Sequence, residues 1–218
     1  MLEPRSSRQA LQWFAGANGL FLAALWTGQY LKNAWLGGVV LACAILSGIA
    51  LMRSGWNMRP SGSLARALLN LGLLSVGGIL ATLVLTATHV VLPYNLSDLR
   101  LITTVPEMVA LVAAEELLFR QVMFRWLETH TVSPHLTVGS TALVFGLAHL
   151  GPAFDVSSPL RIFTCLQVIY LILIGCLLGE LRRTSGSWLV SSIGHLTYNF
   201  SMLLTLAIVS PMTTVRVW

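Results

Sequence analysis

Residues 106–128 read PEMVALVAAEELLFRQVMFRWLE. The run is as long and nearly as apolar as a bilayer-crossing helix, which needs about 20 residues. Glu115, Glu116 and Arg120 nevertheless lie well inside it. A charge at the centre of a spanning helix costs about 2.5–3.5 kcal/mol on insertion scales, so two adjacent carboxylates and a guanidinium require partners or a task. Helical spacing separates them. Glu116 and Arg120 are four residues apart and share a face, which predicts a structural ion pair. Glu115 is turned by about 100° from Glu116 and points elsewhere, which makes it the candidate for chemistry.

The surroundings make the same point. The chain has 218 residues, 56% of them hydrophobic and only 10% charged, with a mean hydropathy of +0.78. Soluble domains carry about 25% charged residues, so this surface is expected to meet lipid rather than water. The formal charge is +5, but the basic residues form no patch of the kind that would read nucleic acid. They sit between apolar runs, as loop charges facing anionic headgroups do. Cys43, Cys165 and Cys176 lie in apolar runs without metal-binding spacing and read as small core residues. The N-terminus reads as a retained first helix with no cleavable signal.

The fold class this implies is all-α, a polytopic transmembrane bundle of about seven spans with an eighth allowed. The segments are 12–30, 34–52, 66–92, 106–128, 134–150, 160–181 and 187–209. Thr104 with Pro106, Ser133–Pro134 and Ser158–Pro159 mark helix starts, Gly151–Pro152 stops the fifth segment, and Ser185–Gly186–Ser187 separates the last two. With a cytoplasmic N-terminus, nine basic residues fall inside and Lys32, Arg100, Arg161 and Arg216 outside, which favours N-in topology. The chain divides into N-terminal spans over 1–105 and a polar-motif core over 106–209, within one membrane domain. Gly175 and Gly179 form a small-xxx-small pair suited to close helix approach.

Two further spans carry polar residues. The fifth ends VFGLAHLGP, with Phe145 and His149 one turn apart, so the ring is expected beside the imidazole. The seventh contains WLVSSIGHLTYNFSMLL, with His195 and Asn199 one turn apart and Ser191 and Ser192 a turn earlier. Taken singly, each has an ordinary explanation as an interfacial or interhelical hydrogen-bonding residue. Together, a His-x-x-x-Asn face opposite a Glu-Glu span weakens that explanation. Glu128, Glu180, Arg182 and Arg183 read as interfacial span ends, and His130 and His135 as residues flanking a loop. At 1.5 Å per residue, Glu115 and His195 each fall about 12–14 Å into their spans, whereas His149 falls almost at the end of its own.

Glu115-Glu116-x-x-x-Arg120, Phe145-x-x-x-His149 and His195-x-x-x-Asn199, in this order on separate spans, resemble the CAAX-protease and bacteriocin-processing (CPBP) family of intramembrane endopeptidases, of the abortive-infection type. The similarity covers about 106–200. It implies an intramembrane endopeptidase in which Glu115 is the general base, His149 orients the water, and His195 and Asn199 form the oxyanion hole. Glu116, Arg120 and Phe145 then play supporting parts. No G-x-S-x-G, no H-E-x-x-H and no cysteine placed as a nucleophile offers another route. A metal-dependent reading uses Glu115, His149 and His195 as zinc ligands; the metal-free reading is preferred because Asn199 beside His195 suits an oxyanion hole. The expected partners are membrane lipid and a membrane-associated protein or peptide substrate, with no nucleic acid. The family's substrates include prenylated CAAX proteins, bacteriocin leaders and sorting signals. A proton-coupled transporter and a non-catalytic scaffold or immunity protein of the same fold are the alternatives, the former lacking the expected paired repeats.

Overall fold

Lipid offers a backbone no hydrogen bonds, so a chain this apolar must pair its N–H and C=O groups within each segment. The computed structural model describes residues 7–30, 64–91, 105–130, 132–154 and 161–213, and these are helical with no strand among them. In chain order they form α1 (Ser7–Tyr30), α2 (Leu64–Val91), α3 (Val105–Glu116), a π-helical segment (Leu117–Met123), α4 (Phe124–Thr129), α5 (Pro134–Ala148), a 3-10 turn (Gly151–Phe154), α6 (Arg161–Ser185) and α7 (Trp188–Thr213). The described residues of the expected segments 12–30, 66–92, 106–128, 134–150, 160–181 and 187–209 lie on helix except at 149–150 and 187, and residues 92 and 160 lie outside the described residues. Segment 34–52, Cys43, Thr104 and the Ser158–Pro159 start lie outside the described residues. Among the described residues, Thr164–Ser185 is long and apolar enough to cross a membrane, with mean hydropathy 2.0, and Leu68–Val84 and Pro134–Ala148 are shorter apolar helices.

The local signals act where the sequence puts them. Ser133 Oγ accepts from the Leu136 N–H at 3.4 Å, with Pro134 following it at the start of α5. Gly186, at φ 71°, closes α6 by donating its N–H to the Arg182 carbonyl at 2.9 Å. α3 runs through the π-helical segment into α4 without a break. Glu116 and Phe124 both keep right-handed helical dihedrals, and the Phe124 N–H reaches the Phe119 carbonyl five residues back.

Two apolar clusters hold the helices. Leu74 of α2, Ile174, Leu178 and Leu181 of α6, and Tyr198 of α7 form one. Phe14 and Leu22 of α1 join Leu118, Phe119, Leu127, Phe145 and Leu171 in the other. Between α5 and α6 the approach is very close, as the Gly175–Gly179 spacing predicts. A Cβ at Gly175 would lie 3.0 Å from Ala142 Cα, and one at Gly179 3.1 Å from Val138 Cγ1. The outward faces are apolar too: Leu68, Leu69, Leu73 and Val76 on α2, and Leu166, Ile169 and Leu173 on α6, are all exposed. Side chains at these spacings form continuous stripes that water would disfavour and lipid accepts. Cys165 lies on this outward face and is exposed, and Cys176 is half-buried. This corrects the expectation that both are core residues: α6 turns Val168, Leu171 and Ile174 inward instead.

Candidate active site

α3 ends on the two glutamates, whose side chains diverge around the helix by about 100°. The imidazole of His195, from α7, lies between them. Its Nδ1 is 3.0 Å from Glu116 Oε1 and its Nε2 3.8 Å from Glu115 Oε2. His149 Nε2 approaches the other oxygen, Glu115 Oε1, at 3.8 Å. The Glu115 carboxylate thus has one imidazole at each oxygen. The two carboxylates differ sharply in access. Glu116 is fully buried, while the side chain of Glu115 is 16% exposed and that of His149 32%.

His149 reaches the site because α5 is short. The helix stops at Ala148, and His149 caps it at φ −90°, ψ 2°. Its Nδ1 is 2.9 Å from the Phe145 carbonyl one turn back. A carbonyl only accepts, so Nδ1 carries the hydrogen, and in the neutral ring the Nε2 lone pair faces Glu115. The low position of His149 in its segment therefore does not separate it from Glu115.

Glu116 faces Arg120 as its spacing predicts, with Arg120 Nε 3.5 Å from Glu116 Oε2. The ion pair is not its whole environment: Glu116 also accepts from His195 Nδ1, and Ser191 Oγ donates to its Oε2 at 2.6 Å. The cause is the shape of imidazole, whose two nitrogens lie on opposite edges, so one ring meets two neighbouring carboxylates. Arg120 has no exposure, donates from Nη2 to the Gly175 carbonyl at 3.3 Å, and lies 4.6 Å over the Phe145 ring. Phe145 packs edge-on against His149, as expected, at 5.0 Å, and also against His195 at 5.6 Å.

Arg182, in the last turn of α6, is only 4% exposed. Its Nε donates to the Arg120 carbonyl, in the π-helical segment, at 3.1 Å, and its Nη2 is 3.9 Å from Glu128. Glu180 and Arg183 pair with each other on the exposed side of α6. Asn199 follows His195 by one turn and is half-buried, and no hydrogen bond joins its amide to Glu115, His149 or His195. The structure therefore gathers Glu115, His149 and His195 and leaves Asn199 alongside. Ser191 is the participant sequence reasoning left without a role. Its position four residues before His195 places it on the same face, which was the available signal.

Glu115, His149 and His195 offer donor types that suit zinc. Their 3.8 Å separations exceed the roughly 3.3 Å between neighbouring ligands of a tetrahedral ion with bonds of about 2.0–2.1 Å. No group of three or more His, Cys, Asp or Glu close enough to hold a metal occurs among the described residues.

Residues 97–201 match the family model described as type II CAAX prenyl endopeptidase Rce1-like. The matched stretch contains every side chain of the site above. No curated protein and no solved structure gives a match to the chain.

Proposed function

Residues 97–201 belong to the Rce1-like family of type II CAAX prenyl endopeptidases, and from that premise we propose that this CAAX-type membrane protease cleaves its substrate with a water activated by Glu115. The observation that carries the reading is the Glu115 carboxylate, partly open and 3.8 Å from the Nε2 atoms of two histidines. That separation is too long for a direct hydrogen bond and fits one water bridging with arms of about 2.6–3.2 Å. Glu115 takes a proton from this water while the His149 Nε2 lone pair accepts from the other O–H and holds the oxygen in place. The hydroxide adds to the scissile carbonyl carbon. Glu115 then returns its proton to the departing nitrogen as the C–N bond breaks.

The oxyanion of the tetrahedral intermediate falls to His195 and Asn199. Because His195 Nδ1 faces the Glu116 carboxylate, its Nε2 can donate only while the ring carries both protons, and Glu116 is the counter-charge of that form. The Asn199 amide supplies a second, uncharged donor. The substrate is a membrane-associated protein or peptide. The chain crosses the membrane several times, with its N-terminus cytoplasmic and the bacterial inner membrane as its home.

A metal-dependent reading is favoured by one feature. Both imidazoles turn Nδ1 to an acceptor, the Phe145 carbonyl or the Glu116 carboxylate, and leave Nε2 towards Glu115. Metal-bound histidines are commonly oriented this way. If zinc binds, Glu115, His149 and His195 hold it, and it would supply Lewis-acid polarisation and an acidified water.

The deciding experiment is cleavage of a fluorogenic membrane-anchored peptide by purified protein in detergent. It compares wild type with Glu115→Gln, each with and without a chelator. We expect Glu115→Gln to lose more than about a hundredfold in kcat, with unchanged melting and no effect of chelator on wild type. Turnover of Glu115→Gln within about tenfold of wild type would sink the assignment of the base. Chelator-sensitive wild type would select the metal reading, and a wild type inert towards every peptide tried would move the scaffold alternative first.

A further inference from the structure

α1 lies outside the stretch that matches the family, and its sequence reads as a generic apolar helix. Its position is not generic. It packs against α4, α5 and the 3-10 turn, placing Phe14 and Leu22 in the same cluster as Phe119 and Phe145. Phe14 stacks on Trp126 of α4 with ring centres 6.2 Å apart. Near its C-terminal end, Trp26 donates its indole Nε1–H to the carbonyl of Leu147 at 2.9 Å.

That carbonyl belongs to the last turn of α5, two residues before His149. The last carbonyls of a helix lose their intrahelical partners and must find others. The Leu147 oxygen accepts from the Leu150 N–H at 3.0 Å and from Trp26, which uses both of its lone pairs. The His149 N–H in turn bonds to the Gly146 carbonyl at 3.1 Å, and its Nδ1 to that of Phe145. The other backbone hydrogen bonds of this turn named above come from α5 itself or the residues directly after it, and Trp26 brings one from another helix.

We propose that Trp26 is a positioning residue for His149, so that α1, outside the family-matched stretch, completes the active site. The indole N–H fixes the plane of the Leu147 peptide, and with it the direction in which His149 presents Nε2 to Glu115. The inference rests on the protease reading for its effect on turnover. The geometry of His149 can be followed without it.

The test replaces Trp26 in the full-length protein in two ways. Trp26→Phe removes the donor and part of the ring. Benzothienylalanine at position 26 keeps the shape of the indole and removes only the N–H. A third protein carries 5-fluorotryptophan there, which retains the N–H. The control Phe14→Leu loosens α1 where it meets Trp126, away from His149. The readouts are kcat and KM, melting in detergent, and the imidazole 15N resonances of His149, assigned by their loss in His149→Gln. Benzothienylalanine is expected to lower kcat about ten- to a hundredfold, as small misplacements of a reacting group do, with KM and melting unchanged and the His149 resonances moved. Fluorotryptophan is expected to match wild type, and Phe14→Leu to lower melting with the His149 resonances unmoved. If benzothienylalanine leaves either kcat or the His149 resonances at wild-type values, the proposal is overturned. If wild type cleaves no peptide tried, the protease reading falls instead, and the His149 resonances alone decide the role of Trp26.

Discussion

A single imidazole joins two carboxylates that are neighbours in sequence and opposite in circumstance. Glu116 is sealed among Arg120, Ser191 and His195, and Glu115 keeps an open edge. Removing a member of the sealed set leaves a buried charge without its partner. Arg120→Ala should therefore lower stability by about 3–5 kcal/mol, read as a lower melting temperature in detergent; activity lost at unchanged melting would instead assign Arg120 to the chemistry. Ser191→Ala should be milder, about 1.5–3 kcal/mol, because it removes one hydrogen bond to a charged group and leaves the ion pair. A melting temperature equal to wild type would show that Ser191 contributes nothing to Glu116. At this scale the sequence was informative where one helix sufficed. Four-residue spacing joined Glu116 to Arg120 and left Glu115 free, and it put Phe145 against His149. It could not reveal His195 between the glutamates, because that depends on the rotation of α7 against α3, fixed by packing between residues nearly 80 positions apart.

The elements that matter most are the short ones. α5 ends at Ala148, and this ending, not a deep mid-helix position, brings His149 to Glu115. Its neighbour α6 presses against it at Gly175, whose carbonyl also receives the Arg120 guanidinium. Gly175→Leu should thus displace α5 and disturb Arg120 together, costing at least the 1–3 kcal/mol of ordinary overpacking. The comparison is Gly139→Leu, at a position on α5 where an added Cβ meets nothing within 4 Å; equal melting temperatures for the two variants would contradict the tight α5–α6 contact. The capping serine, the proline after it and the small-residue spacing were all legible. The wide turn inside 106–128 was not, since nothing in its residue types departs from an ordinary helix.

For the whole molecule, composition and hydropathy set the class: a helical protein with an apolar exterior. The number and direction of crossings are a separate matter, and here the proposal is several spans with the N-terminus inside. Reporter fusions test it, and a fusion after residue 130 should behave as cytoplasmic and one after residue 30 as external. The reverse pattern would invert the topology. The participation of α1 in the second apolar cluster was hidden in the sequence because Leu, Phe and Trp suit lipid and protein neighbours equally well. Only the contacts of Trp26 and Phe14 tell the two apart.

The π-helical turn at Leu117–Met123 has a consequence for ancestry. A wide turn of this kind equals one residue inserted into an ordinary helix. The insertion lies immediately after the glutamates, so the helix before it keeps its register with His195, while everything after it is rotated by about 100° relative to an uninterrupted helix. A relative lacking the extra residue would retain Glu115 and Glu116 but aim the counterparts of Trp126 and Leu127 in another direction, away from α1.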